Sequence, residues 1–170
     1  KTDNGVIYNK DMTELIKCPM ALYSASFQIP DGVKTIADYA FYECKNIEKF
    51  YLPETIETIG MSAFENCMMN AIRLPQSTSS IGMSAFYNCS KLENLIIPEE
   101  VEELSTMAFA SCDKLTYLYI PANVKRLETS VFYNCKSLTM INSMIEDMNS
   151  VKFEISYDGE YNQFNSIPDT

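Results

Sequence analysis

An apolar residue followed by proline returns along the chain at Ile29-Pro30, Leu52-Pro53, Leu74-Pro75, Ile97-Pro98 and Ile120-Pro121, so the prolines step by 23, 22, 23 and 23 residues. A fixed step of this size means that one small supersecondary unit is repeated, and such units stack into a solenoid. A second marker keeps the step: Ala40-Phe41, Ala63-Phe64, Ala85-Phe86, Ala108-Phe109 and the variant Val131-Phe132. A third follows three residues later, as Cys44, Cys67, Cys89, Cys112 and Cys135. The one short repeat tests the alignment. Cys67 to Pro75 spans 8 residues where Cys89 to Pro98 spans 9, so the deletion falls in the turn after the cysteine and leaves every apolar position in phase.

The five repeats of 22 or 23 residues thus read Leu-x-x-Leu-x-Leu-Pro, then x-x-Val-x-x-Ile, then small-x-x-Ala-Phe-x-x-Cys. The first segment alternates with period two, as a strand with one buried face should. Leu95 and Ile97 are expected to point inward, with Asn94 and Ile96 outward. Proline after the strand donates no backbone hydrogen bond and ends the ladder. The Ala-Phe-x-x-Cys stretch buries Phe and Cys three apart, which suits about one helical turn. The prediction is an α/β architecture: a right-handed solenoid with a parallel β-sheet on one face and short helical turns opposite.

These residues resemble the BspA-type leucine-rich repeat. The stretch Leu92 to Leu115, LENLIIPEEVEELSTMAFASCDKL, carries both the apolar-Pro step and the Ala-Phe-x-x-Cys signature of that family. Gly5 to Asp11, followed by Leu15-Ile16-Lys17-Cys18-Pro19, is similar to the hairpin that opens such arrays. The small position before Ala-Phe holds Gly60 and Gly82 but also Ala37, Ser105 and Glu128, so a strict positive-φ requirement is not expected there. The array reads as a single domain over 1–170. Its parts are a capping hairpin and entry coil over 1–26, the repeats over 27–143, and an irregular coil with an insertion over 144–170. Within that last stretch Ile167-Pro168 resumes the pattern as the first strand of one more coil.

The resemblance implies a bacterial protein exported to the cell surface or beyond, with a signal sequence no longer in the chain. It also implies adhesion to proteins of a host or of other cells. Fold alone fixes no ligand. Composition agrees with a binding module. With 13 basic against 23 acidic residues the net charge is −10, which repels nucleic acid and anionic lipid and favours partners with basic patches. Histidine is absent, which removes the commonest general base and metal ligand. Carboxylates and tyrosines are the remaining catalytic candidates and form no recognisable pair, so no enzyme is expected and no cofactor or metal is assigned. No run approaches the ~18 apolar residues of a membrane span.

Five of the six cysteines share one repeat position and are read as a column of buried, free, inert thiols, since parallel side chains give a poor disulfide torsion. Cys18 lies outside the column and is read as core packing in the entry coil. Glu99, Glu100, Glu102 and Glu103 are read as a solvated edge and not a calcium loop. Asn88-Cys89-Ser90 matches a glycosylation sequon, but Cys89 belongs to the buried column.

Outward positions of the strands form two columns: Gln28, Tyr51, Arg73, Ile96, Tyr119, Asn142, and Ser26, Lys49, Ala71, Asn94, Tyr117, Met140. Tyr, Arg and exposed Ile are interface-type residues. Strands also favour Tyr and Ile whichever way they face. The candidate binding residues are Lys49, Tyr51, Arg73, Asn94, Ile96, Tyr117 and Tyr119, for a protein ligand. Two alternatives stay open: a carbohydrate-binding module stacking sugars on Tyr51, Tyr117 and Tyr119, and a spacer presenting another domain.

Overall fold

Each repeat turns once and lays its equivalent residues on those of the coil before. The computed structural model describes residues 1–145 and the backbone of Lys152–Phe153. Strands β4 (Phe27–Gln28), β6 (Phe50–Tyr51), β9 (Asn94–Ile96) and β11 (Tyr117–Ile120) come from the apolar-Pro segments, and β13 (Met140–Ser143) from the equivalent segment without the proline. They run parallel, with Phe27 opposite Phe50, Leu95 opposite Leu118, and Leu118 opposite Ile141. The coil between β6 and β9 contributes only isolated bridges, Phe50 to Ile72 and Ala71 to Asn94. It is the coil that lost one residue, and the ladder narrows there.

A second ladder runs along the stack, built from the Val-x-x-Ile segments. It comprises β5 (Thr35–Ile36), β7 (Thr58–Ile59) and β8 (Ser80–Ile81), then β10 (Glu103–Leu104), β12 (Arg126–Leu127) and β14 (Lys152–Phe153). The spacing had supplied only two apolar positions here, too short a run to show as a strand. The amino end closes the first of these sheets: β1 (Thr2–Asp3) and β2 (Val6–Tyr8) form an antiparallel hairpin, and β3 (Glu14–Lys17) joins β2 antiparallel and β5 parallel. Val6, Tyr8 and Leu15 are thereby buried against the first coil. Leu127 faces Phe153 across β12 and β14, a step three residues longer than the repeat. The expectation of an inserted coil ending at Ile167-Pro168 otherwise lies outside the described residues.

No helix occurs among the described residues, which corrects the expected α/β class with helical turns: the fold is a parallel β-solenoid of about six coils. The Ala-Phe-x-x-Cys segments are chains of tight turns. In the first, the N–H groups of Ala40, Tyr42 and Cys44 bond to Ala37, Tyr39 and Phe41 of the same coil at 3.2, 3.2 and 3.0 Å. Those of Tyr39, Phe41 and Glu43 bond instead to Met61, Ala63 and Glu65 of the next coil at 2.8, 2.7 and 2.9 Å. A helix would turn every N–H inward along its own axis. Sending alternate donors along the stack flips the backbone twice per turn, hence the positive φ of Tyr39 and Glu43, and of Ser62 and Asn66 one coil on.

The core is a set of columns. Phe41, Phe64, Phe86, Phe109 and Phe132 stack with centroids 5.0, 5.1, 5.3 and 5.8 Å apart and planes within 11° of parallel. Phe50 meets Phe41 and Phe64 edge-on at 5.0 and 5.1 Å. Aromatic pairs in these geometries add about 0.5–1.5 kcal/mol each beyond the area they bury. Thr78 stands where other coils place Val33, Ile56, Val101 and Val124, and its hydroxyl is satisfied by the Ile56 carbonyl at 3.2 Å.

Gly60 and Gly82 do not have positive φ. A Cβ at Gly60 would lie 2.6 Å from the backbone nitrogen of Asp38, and one at Gly82 would lie 2.7 Å from that of Met61. What selects glycine there is contact between neighbouring coils.

Candidate binding face

The strand alternation sets the candidate residues on one surface. Leu95 and Ile97 are buried, while Asn94 and Ile96 are exposed. Across the ladder Asn94 faces Tyr117, which faces Met140, and Ile96 faces Tyr119, which faces Asn142. The two outward columns are therefore in register through β9, β11 and β13. Toward the amino end Gln28 faces Tyr51, and Ala71 bridges to Asn94. Lys49, Tyr51 and Arg73 are exposed as well, but the narrow coil between β6 and β9 parts Tyr51 from the three-stranded sheet.

Exposure separates these side chains. Ile96 is 55% exposed, Tyr51 51% and Met140 59%, whereas Tyr117 and Tyr119 are half-buried. Tyr119 donates its hydroxyl to Glu99 Oε1 at 3.2 Å. Partial burial and then this carboxylate raise the Tyr119 phenol above its ordinary value. Arg73 forms an ion pair with Glu54. Glu54 and Glu99 each follow a strand-ending proline. Neither is among the candidate residues that the strand alternation selects, although their shared place after the proline is visible in the sequence.

The acidic run at Glu99 to Glu103 is divided among partners. Glu99 accepts from Tyr119, Glu102 pairs with Lys125 at 3.0 Å, and Glu103 pairs with Arg126. Among the described residues no group of His, Cys, Asp or Glu converges as a metal site. On the other side of the stack, Asn88 donates to the Asn66 side chain at 2.7 Å, which occupies the amide of the sequon.

The cysteines are all buried and free. Each thiol from Cys67 onward donates to a phenylalanine carbonyl one coil back: Cys67 to Phe41 and Cys89 to Phe64 at 3.1 Å, Cys112 to Phe86 at 3.4 Å, Cys135 to Phe109 at 3.2 Å. Burial pushes the thiols of Cys67 and Cys89 well up, which opposes the thiolate that reactivity needs. Cys18 does not stand outside the column as its sequence position suggests: it adjoins Cys44, whose thiol donates to the Cys18 carbonyl at 3.9 Å. It extends the column into the entry coil, at a 26-residue spacing that hid the relation.

These stacked coils, ruled on one face and sealed by aromatic and thiol columns, define a leucine-rich-repeat β-solenoid. Residues 20–139 match the family described as BspA type Leucine rich repeat region, in six copies, and the chain belongs to that family. Six copies correct the five repeats expected from the spacing.

Among solved structures, a leucine rich cell surface protein from Faecalibacterium prausnitzii A2-165 is 30% identical with a TM-score of 0.76, over 81% of this chain and 36% of that one. The T. pallidum leucine rich repeat protein is 26% identical with a TM-score of 0.79, over 92% and 72%. The pneumococcal vaccine antigen PcpA is 26% identical with a TM-score of 0.75, over 98% and 45%. The chain thus spans about a third of the first and under half of the last. No protein curated for its function matches the sequence. No helix of the described residues is long and apolar enough to cross a membrane.

Proposed function

We propose that the chain is a non-enzymatic adhesion module of a bacterial surface or secreted protein, and that it binds a protein partner through the outer face of β9, β11 and β13. The observation that carries this reading is the registered surface of Asn94, Ile96, Tyr117, Tyr119 and Met140. Strongly exposed Ile96 and Met140 flank half-buried tyrosines, whose rings have few rotatable bonds to immobilise on contact. The Glu99 carboxylate beside Tyr119 favours a partner with a basic rim and an apolar centre. The F. prausnitzii relative's description as a cell surface protein supports the location.

A glycan stacked on Tyr51, Tyr117 and Tyr119 is less well supported, because Tyr51 stands across the narrow coil from the other two. The test is surface plasmon resonance against host extracellular-matrix proteins, with the unaltered chain and with Tyr117→Ser/Tyr119→Ser. The expected result is binding to at least one matrix protein, weakened more than about a hundredfold in the variant, with the unfolding midpoint little changed. Unchanged affinity in the variant would remove this face from consideration.

A further inference from the structure

Beside the amino-terminal hairpin, away from the three-stranded sheet, lies an open cavity of about 430 Å³. Its wall includes Asp3, Asn4, Tyr8, Tyr23, Phe27 and Gln28. This volume falls among small-ligand clefts of about 300–1,000 Å³.

Tyr23 is 82% exposed, the most exposed of the large apolar side chains among the described residues. The repeat pattern gives it no packing role. Phe27 is anchored in the core, edge-on to Phe41 at 5.4 Å. Tyr8 is buried, and burial together with the charge of Asp3 pushes its phenol up to about 12. One aromatic ring open to solvent thus shares a cleft with a rigid aromatic wall, a carboxylate, a phenol and two side-chain amides.

We infer that this cavity binds a pyranose ring of a neutral glycan, stacked on Tyr23 and hydrogen-bonded by Asp3, Asn4 and Gln28. A pyranose has an apolar C–H face bounded by hydroxyls that both donate and accept, which matches a ring flanked by a carboxylate and amides. A quaternary ammonium would use the aromatic rings and the charge of Asp3. It would leave the amides of Asn4 and Gln28 without a role. The inference is independent of the sheet-face reading, since none of these residues lies on β9, β11 or β13.

The experiment is a nuclear magnetic resonance titration of the full chain with the methyl glycosides of glucose, galactose and mannose and with N-acetylglucosamine, at millimolar concentrations, with tetramethylammonium as a further probe. At least one sugar is expected to shift the signals of Tyr23, Asn4 and Gln28. Tyr23→Ala, a change at a solvent-facing ring that leaves the core intact, is expected to weaken binding about tenfold or more. Asp3→Asn is expected to weaken it as well, and Tyr117→Ser/Tyr119→Ser to leave it unaltered. The inference is overturned if no sugar moves these signals, if sugar binding survives Tyr23→Ala, or if tetramethylammonium alone binds.

Discussion

A thiol at the end of each turn meets two requirements that a hydroxyl or a methyl group meets only singly. It is apolar enough to sit without solvent in the core, and it still donates weakly to a carbonyl already bonded within its own coil. The Phe64 carbonyl, for instance, accepts the Cys67 amide at 3.1 Å and the Cys89 thiol at 3.1 Å. Burial keeps reagents from the sulfurs, so a bulky thiol reagent is expected to modify essentially none of the six cysteines in the native protein and all six after denaturation. Fewer than six in the denatured, unreduced protein would reveal disulfides and contradict the column. The column was legible because five cysteines keep a common step. Cys18 was not, since the hairpin before it obeys antiparallel pairing and breaks the period.

The turns and strands show where short elements evade a pattern argument. Phe and Cys three apart fit one helical turn and equally fit two linked tight turns, and burial periodicity cannot separate them. The usable signal lay elsewhere: seven of the ten left-handed residues in these turns are Ser or Asn, types that tolerate that conformation or bond locally within it. At the strand edge, Gly82→Ala is expected to lower stability by about 1–3 kcal/mol, because its Cβ would press on the backbone of Met61 and Gly60. Chemical denaturation measures this; an unchanged unfolding midpoint would refute the close approach.

Glu128 beside β12 gives a pH-dependent counterpart. Against the burial that would raise its pKa, the Thr106 amide and hydroxyl at 2.8 and 3.0 Å and the charge of Arg126 hold it below the ordinary carboxylate value. A depressed folded pKa stabilises the fold above the unfolded value of about 4.5, and this is lost as pH falls through the folded value. Glu128→Gln should therefore be less stable than the unaltered chain at pH 7 and converge with it in acid. A gap constant across that range would show that the charge of Glu128 is immaterial.

At the scale of the whole molecule, stability accrues coil by coil, because each coil touches chiefly its neighbours. This architecture was legible in the sequence for the same reason: a solenoid writes each contact as a repeated spacing. The second ladder and the cleft at Tyr23 were not, the first because two apolar positions make too short a signal, the second because it forms where hairpin and first coil meet and no period exists. The identity of a partner rests on side chains that vary from coil to coil, which periodicity cannot read.

Equivalent side chains of successive coils lie on one another, and ring-to-ring nuclear Overhauser effects read that stacking without an intermediary. Strong cross-peaks are expected between Phe64 and Phe86 and between Phe86 and Phe109, with none between Phe64 and Phe109. Absence of the first two, or a Phe64 to Phe109 cross-peak of equal strength, would contradict it.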